Sequence, residues 1–214
     1  MEIRVNPTRM ELNRLKGRLK MAQRGHKLLK DKRDELMRKF LELIRENKEL
    51  RMRVEAKLSR SFANFLLAQA VMSAETMEEA IMFPQARVEL EAEEVNMMSV
   101  RVPRFIRQQQ EEGTGGDVYP YGFANTSAEL DTSIAALAEV LPQLIKLAEV
   151  EKAVFLLANE IDKTRRRVNA LEHVLIPQLV STIKYISMKL DENERGALVR
   201  LMKIKDIVRG DKTG

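Results

Sequence analysis

Apolar residues recur at intervals of three and four along the first part of the chain. Thirteen positions between residues 12 and 54 follow this spacing, and ten of them are apolar. Residues three and four apart share one face of an α-helix, so the pattern predicts a long helix with a coiled-coil seam. The predicted seam runs through Leu12, Leu15, Leu19, Ala22, His26, Leu29, Arg33, Leu36, Phe40, Leu43, Asn47, Leu50 and Val54.

The ends of this first helix are marked by prolines. Asn6 is the predicted N-cap, with Pro7 at the first helical position. The apolar face widens beyond Phe62, and Phe83-Pro84 ends the helix after Met82. At about 1.5 Å per residue, such a helix would be on the order of 110 Å long.

A second long helix is predicted from residue 126 to residue 209. It opens with a capping-box pattern from Thr126 to Glu129. Pro142 and Pro177 interrupt it, and Pro177 predicts a kink or local unwinding. Its predicted seam is Leu130, Ile134, Leu137, Leu141, Leu144, Ala148, Val154, Ile161, Val168, Leu175, Leu179, Ile186, Leu190, Ala197, Leu201 and Ile204.

The segment between the helices has a different pattern. Arg87–Glu91 and Met98–Val102 alternate with period two, which is typical of short strands. Gly113–Gly116 predicts a flexible loop and Tyr119–Gly122 a turn.

The predicted fold class is therefore all-α. We expect a long antiparallel two-helix coiled coil, a helical hairpin, with a small β-hairpin and loop inserted between the helices. The expected order is a helix over residues 1–83, the insertion over 84–125, a helix over 126–209 and a disordered tail over 210–214. Together they would form one elongated domain.

Charge is distributed unevenly along the chain. The net charge is +5, but residues 1–60 carry +10, residues 61–162 carry −11 and residues 163–214 carry +6. If the chain folds back on itself, its two ends form one basic tip and its middle forms an acidic far end.

Catalytic and metal-binding patterns are lacking in the sequence. There is no Cys, which removes disulfides, thiol nucleophiles and Cys-ligated metals. The only histidines, His26 and His173, lack ligand spacing, and His26 is predicted to be a polar seam residue that sets the register. No Gly-Lys-Ser/Thr follows Gly113–Gly116, which favours a loop over a phosphate site. We expect no catalytic residues, no cofactor and no metal.

The N-terminus lacks the apolar core of a signal peptide, and no stretch approaches the roughly 18 apolar residues of a membrane span. A cytoplasmic protein is expected.

Three consecutive arginines, Arg165, Arg166 and Arg167, interrupt the second helix. Successive helical residues are rotated by about 100°, so these side chains spread over more than half of the circumference. They suit nucleic-acid phosphates or a protein cavity lined with carboxylates, while a merely solvated coil is the third alternative. The scarcity of aromatic residues in the basic stretches argues against nucleic acid.

Six stretches form long and unusual strings: Asn6–Leu12, Arg24–Leu36, Met98–Val100, Leu147–Lys152, Thr164–Glu172 and Ile176–Leu179. In this order they resemble the D subunit of the V/A-type rotary ATPases, and the resemblance weakens only between about residues 105 and 124.

This resemblance implies a non-catalytic central rotor shaft. It implies that the joined chain ends enter the ring of A and B subunits, where ATP is hydrolysed or made. It also implies two further partners, the F subunit and a funnel-shaped subunit that couples to the membrane rotor. The expected location is peripheral, on the inner face of the membrane. The alternative is a basic coiled-coil adaptor or nucleic-acid-binding arm.

Two sets of contact residues follow as hypotheses. The catalytic ring would be contacted by Arg14, Arg18, Arg24, Lys27, Lys30, Arg33, Arg165, Arg166 and Arg167. Where the apolar surface is wider than a two-helix seam needs, the F subunit would dock on Phe62, Phe65, Leu66, Met72, Leu137, Leu141 and Leu144. For any one of these residues, a place in a small local core of the chain itself is the alternative.

Overall fold

The computed structural model describes residues 6–82, 88–107, 119–122 and 126–210. In these ranges the chain forms long helices and one two-stranded antiparallel sheet, as the predicted fold class requires. The elements are α1 (Arg9–Val71), α2 (Ala74–Ile81), β1 (Leu90–Met97), β2 (Val100–Arg107), α3 (Ala128–Ala170), a π-helical turn (Leu171–Leu175) and α4 (Ile176–Gly210). The predicted helix terminator Phe83-Pro84, the glycine-rich loop Gly113–Gly116 and residues 211–214 of the expected tail lie outside the described residues, whereas Gly210 is the last residue of α4.

The chain divides into two compact units. The terminal unit comprises Met1–Glu35 and Asp162–Gly214, and the middle unit comprises Leu36–Ile161.

In the terminal unit, the start of α1 pairs with α4. Leu15, Leu179 and Ile186 are buried together, and six partly buried apolar residues pack around them: Leu12, Leu19, Ala22, Leu175, Ile183 and Leu190. The Arg9 guanidinium binds the Glu194 carboxylate, while His26 lies opposite Glu172. Residue numbers rise along one helix as they fall along the other, so the pair is antiparallel.

In the middle unit, α1 pairs with α3 in the same antiparallel sense. Lys57 Nζ lies 2.6 Å from Glu139 Oε1. Further along, the Ser61 hydroxyl donates to the Ser133 carbonyl, and the Ser133 hydroxyl donates to the Ser61 carbonyl, both at 3.0 Å. Both serines are fully buried, so their small size allows the two backbones to approach closely.

The seam predicted for the first helix is confirmed, because all thirteen positions are buried or partly buried. The seam predicted for the second helix is partly wrong. Leu137 and Ala148 are exposed, whereas Val140 and Leu157 are fully buried. Residues 134–148 are apolar on more than one face, so spacing alone does not select the buried one.

The first helix also does not continue to Met82. It ends at Val71, and Ser73 starts α2 in an extended conformation, with its hydroxyl accepting the Thr76 N–H. An N-cap serine of this kind breaks the helix without proline or glycine.

The helix starts likewise use other caps than predicted. Thr8, not Asn6, caps α1, because its Oγ1 accepts the Glu11 N–H at 3.2 Å. Ser127, not Thr126, caps α3 through the Leu130 N–H, while the Thr126 hydroxyl donates to a carbonyl of the preceding turn.

The local unwinding predicted at Pro177 is present as the π-helical turn. The Ile176 N–H reaches back five residues to the Leu171 carbonyl. Proline lacks an N–H and its ring clashes with the carbonyl four residues earlier, here that of His173. The wider turn accommodates both defects. Pro142 lies within α3 itself.

The inserted β-hairpin is confirmed, but its strands are longer than expected and differently placed. The sequence predicts a strand at Met98, yet Met98 and Ser99 form the turn, with φ values of 54° and 71°. Positive φ at both central residues is the geometry of a type I′ turn. Val100 and Val102 bury against Leu36 and Leu157, which fixes the hairpin to the helices of the middle unit.

Candidate interaction surfaces

The three arginines all lie on the surface of α3. The residues that flank them, Thr164 and Val168, are each 1% exposed and belong to the seam. Between two seam positions four residues apart, the three side chains flank the seam or point away from it, and all three arginines are exposed. The three arginine side chains therefore lie side by side on the outer surface of the terminal unit.

Of the three arginines, only Arg166 forms an ion pair within the part of the chain that the structure describes. Arg166 Nη2 lies 2.6 Å from Asp162 Oδ2, one turn earlier on the same helix. Its side chain is still 80% exposed, so the ion pair is screened by water and does not remove the charge from the surface.

All nine predicted ring-contact residues belong to the terminal unit. Eight are exposed: Arg14, Arg18, Arg24, Lys27, Lys30, Arg165, Arg166 and Arg167. Arg33 differs because it occupies a seam position. It is partly buried and binds the Asp34 carboxylate at 2.7 Å.

His26 occupies a seam position, as predicted. Its side chain is 21% exposed, and its Nε2 lies 3.3 Å from Glu172 Oε2 on the π-helical turn. This polar contact joins α1 to the π-helical turn at one position along the helix pair, and the register-setting role of His26 stays a prediction.

The last turns of α4 form an apolar end that the sequence pattern does not reveal. Ala197, Leu201 and Ile204 are predicted seam residues, but all are exposed. Because Glu194 pairs with Arg9, the first residue of α1, the later turns of α4 extend past that helix. Six large apolar residues on these turns are 56–63% exposed: Leu198, Val199, Leu201, Met202, Ile204 and Ile207. The spacing of apolar residues does not show where α4 loses its partner helix. That position follows only from the register of the antiparallel pair.

Of the seven predicted docking residues for the F subunit, three are exposed and four are partly buried. Phe62, Leu66 and Leu137 are 57%, 64% and 36% exposed. Phe65 and Met72 instead pack against a buried cluster of this chain: Ala68, Met77, Ala80 and Leu130. The other two predicted residues, Leu141 and Leu144, are partly buried.

The structure extends the exposed apolar surface of α1 and α2 beyond the predicted set. Leu67, Val71, Ile81 and Met82 are also exposed. Adjacent exposed apolar residues on a helix mark a surface that a partner can cover.

Polar contacts in the middle unit shift several pKa values. The hydrogen bond from Lys57 lowers the pKa of Glu139, and Lys39 lowers the pKa of Glu42 in the same way. Burial, together with the hydrogen bond to Asp131, raises the pKa of Tyr121. The Tyr121 hydroxyl donates to Asp131 Oδ1 at 2.7 Å and so joins the end of the insertion to the start of α3.

Within the described ranges, no group of three or more His, Asp or Glu side chains is arranged to hold a metal. None of the helices in that part of the chain has both the length and the apolar content that crossing a membrane requires.

These features define a coiled-coil protein with an inserted β-hairpin, whose candidate functional residues lie on helix surfaces. The chain belongs to the family of ATP synthase D subunits, whose model matches residues 11–206. This confirms the resemblance seen in the sequence.

Close relatives cover nearly the whole chain. The V-type ATP synthase D subunit of Acetivibrio thermocellus is 59% identical over 208 residues, which are 96% of this chain and 92% of the relative. Its counterpart in Clostridium novyi is 56% identical over 210 residues, covering 98% and 97%. A Clostridium botulinum type A counterpart is 58% identical over 208 residues, covering 97% and 96%.

Proposed function

We propose that the chain is the rotating central shaft of a V-type rotary ATPase, with no catalytic residues of its own. In this proposal the terminal unit lies inside the ring of A and B subunits. The shaft transmits rotation between ATP hydrolysis or synthesis in the ring and ion translocation through the membrane rotor. Family membership supports the complex, and the surfaces of the chain support the role within it.

The apolar end of α4 is the observation that carries the proposal. Six large apolar side chains stand more than half exposed on consecutive turns of one helix. Residues 198, 201, 202 and 204 differ in direction by up to about 160°, because each residue is rotated by about 100°. A single flat partner surface would leave part of this end in water. A sleeve formed by several ring subunits would cover it on every side.

The exposed arginines suit a moving contact. Arg165, Arg166 and Arg167 point away from the seam in successive directions, so a shaft that turns in a ring brings them to one surrounding subunit after another. Charge–charge attraction acts over several ångströms, and exposed charges exchange partners without a large desolvation cost. The proposal assigns these side chains to acidic or polar loops of the ring.

The seam occupies only one side of each helix, and the outward faces of the two helices carry different side chains. The surface of the pair therefore differs from one direction to the next. A shaft of this kind holds the three A/B pairs in different conformations, since each pair contacts a different face.

The middle unit provides the surface for partners that stay attached to the shaft. Phe62 and Leu66, with Leu67 and Val71, form the exposed apolar part of α1. The proposal places the F subunit there, and the funnel-shaped subunit at the foot of the shaft.

A pull-down of the tagged chain from native membranes, with mass spectrometry of its partners, tests the proposal. We expect A, B and F subunits and the funnel-shaped subunit, at about three A/B pairs per tagged chain. Recovery of RNA or unrelated proteins, without ATPase subunits, would overturn it in favour of a free-standing basic adaptor. Binding to RNA would then weaken steeply with salt.

A further inference from the structure

A groove in the middle unit lies between the end of β2 and the middle of α3. Its volume is about 350 Å³, within the range of roughly 300–1,000 Å³ that is typical of ligand sites. Phe105, Pro142 and Ile145 supply its apolar lining. Charged side chains supply the rest.

The charged lining is mainly cationic. It consists of Arg104, Arg107, Lys146 and Glu149. Lys146 Nζ lies 3.3 Å from Glu46 Oε1, so the charge of this lysine is partly balanced. Among the residues that the structure describes, Arg104 and Arg107 form no ion pair. Two exposed guanidinium groups therefore remain available to an anion.

A carboxylate fits these groups well. The planar guanidinium fork matches a carboxylate in a bidentate arrangement, and an apolar lining beside it accepts a neighbouring aliphatic side chain. A phosphate would also bind arginine, but Glu149 lies in the same lining and repels a densely charged anion.

Glu149 also shows how a peptide backbone can be held here. Its Oε2 already accepts the backbone N–H of Phe105 at 3.4 Å. A carboxylate has further acceptor positions, so the same oxygens can accept an N–H from an extended ligand chain.

We infer that this groove is a docking site for an acidic, extended peptide segment of a protein partner. Arg104 and Arg107 bind its carboxylates, Phe105 and Ile145 contact its apolar side chains, and Glu149 orders its backbone. The site belongs to the middle unit alone and does not depend on the role of the chain as a shaft.

The inference is tested with the full-length chain and a fluorescent peptide of alternating Glu and Leu, by anisotropy at physiological salt. We expect saturable binding that becomes about tenfold weaker in the Arg104→Ala/Arg107→Ala variant, as the loss of two charge-assisted contacts implies.

A matched control separates this groove from the general basicity of the chain. Lys16→Ala/Lys20→Ala removes the same number of exposed charges from the terminal unit, at residues to which no ring contact is assigned, and should leave peptide affinity unchanged. Arg101→Ala, on β2 but outside the groove lining, should also have no effect. Equal weakening by the groove variant and the terminal variant would overturn the inference.

Two further measurements identify the ligand. An Arg104→Lys/Arg107→Lys variant keeps the charge but loses the fork, and we expect intermediate affinity. Pyrophosphate should compete more weakly than the unlabelled peptide. Stronger competition by pyrophosphate would make this a small-anion site and overturn the peptide assignment. Circular dichroism of each variant checks that the fold is retained.

Discussion

At the scale of single residues, the placement of Thr164 and Val168 decides what the neighbouring arginines do. Both are buried in the seam, and this fixes the direction of the three side chains between them. The exposure of the arginines could be predicted from the sequence, because three successive residues cannot share one helix face. Their partners could not, because solvent-exposed charges leave no trace in the packing of the chain itself.

Replacement of Arg165, Arg166 and Arg167 together by Ala should leave the terminal unit folded. Exposed side chains of this kind change stability by about 0.5 kcal/mol or less each. We expect affinity for the isolated A/B ring to fall about tenfold, which is about 1.4 kcal/mol, and coupled ATP turnover to fall with it.

The matched control is Lys48→Ala/Arg53→Ala/Arg60→Ala, which removes three exposed charges from the middle unit. Unchanged ring affinity and turnover in the arginine variant would rule out the assigned role of these residues.

The reciprocal serine contact predicts a strict size limit at residue 61. We expect Ser61→Val to destabilise the chain by about 1–3 kcal/mol through overpacking. Ser61→Ala should cost only about 1 kcal/mol, for one lost hydrogen bond. Urea unfolding measures both, and Ser59→Val at an exposed position is the control. A Ser61→Val variant as stable as the control would show that the helices tolerate a wider separation here.

The ion pair of Lys57 and Glu139 predicts a pH dependence. The pKa of Glu139 is lowered in the folded chain, from an ordinary value of 4.5. Its contribution to stability is therefore present above pH 4.5 and is lost as pH falls through the lower folded value. We expect a small stability difference between the wild type and Glu139→Gln near neutral pH, which disappears in acid. Thermal unfolding from about pH 2 to 7 measures it. A difference that grows in acid would contradict this sign.

At the scale of elements, the spacing of apolar residues predicts the first seam better than the second. Over residues 12–54 of α1 the three-and-four spacing continues without a break, so spacing identifies the buried face there. In α3 the residues around Leu137 are apolar on several sides, and only the partner helix selects among them. The break at Ser73 escapes prediction for a related reason, because a serine that caps a helix also occurs within helices.

The π-helical turn predicts a local effect of Pro177. With Pro177→Ala, the missing N–H is restored and the clash with the His173 carbonyl is removed. We expect slower amide hydrogen exchange over Leu171–Gln178 and a gain of up to about 3 kcal/mol in stability. Mass spectrometry of exchanged peptides provides the measurement. Pro142→Ala is the control, and it should slow exchange only near its own turn. If amide hydrogen exchange over this segment is as fast in Pro177→Ala as in the wild type, the π-helical turn is not caused by Pro177.

At the scale of the whole molecule, charge separates the two units. The terminal unit has 23 Lys and Arg against 12 Asp and Glu, a net charge of +11, and the middle unit has 14 against 20, a net charge of −6. Partners of the two units should therefore differ in charge, and salt should weaken their binding to different extents.

Removal of residues 195–214 should separate folding from assembly. The apolar side chains of this region are mostly exposed, so we expect the melting temperature of the remaining chain to change by only a few degrees. Retention in the A/B ring, measured by size-exclusion chromatography, should be lost or strongly reduced.

Two variants refine this truncation result. Leu198→Gln/Leu201→Gln/Ile204→Gln should reproduce the loss, whereas Arg195→Gln/Arg200→Gln should not. If the truncated chain is fully retained in the A/B ring, the apolar end of α4 does not hold the chain there, and the proposed function loses the observation on which it rests.

The exposed end of α4 also has a consequence for the life of the chain before it meets any partner. Newly synthesised copies expose this apolar helix end to the cytosol, where it can bind to other copies or be bound by chaperones. The chain is therefore prone to aggregation until it binds its partners. We expect proteases to degrade unbound chains before assembled ones. The helix terminus thus sets a time limit on assembly, so a cell that makes this chain in excess of its partners should accumulate degradation products instead of free chains.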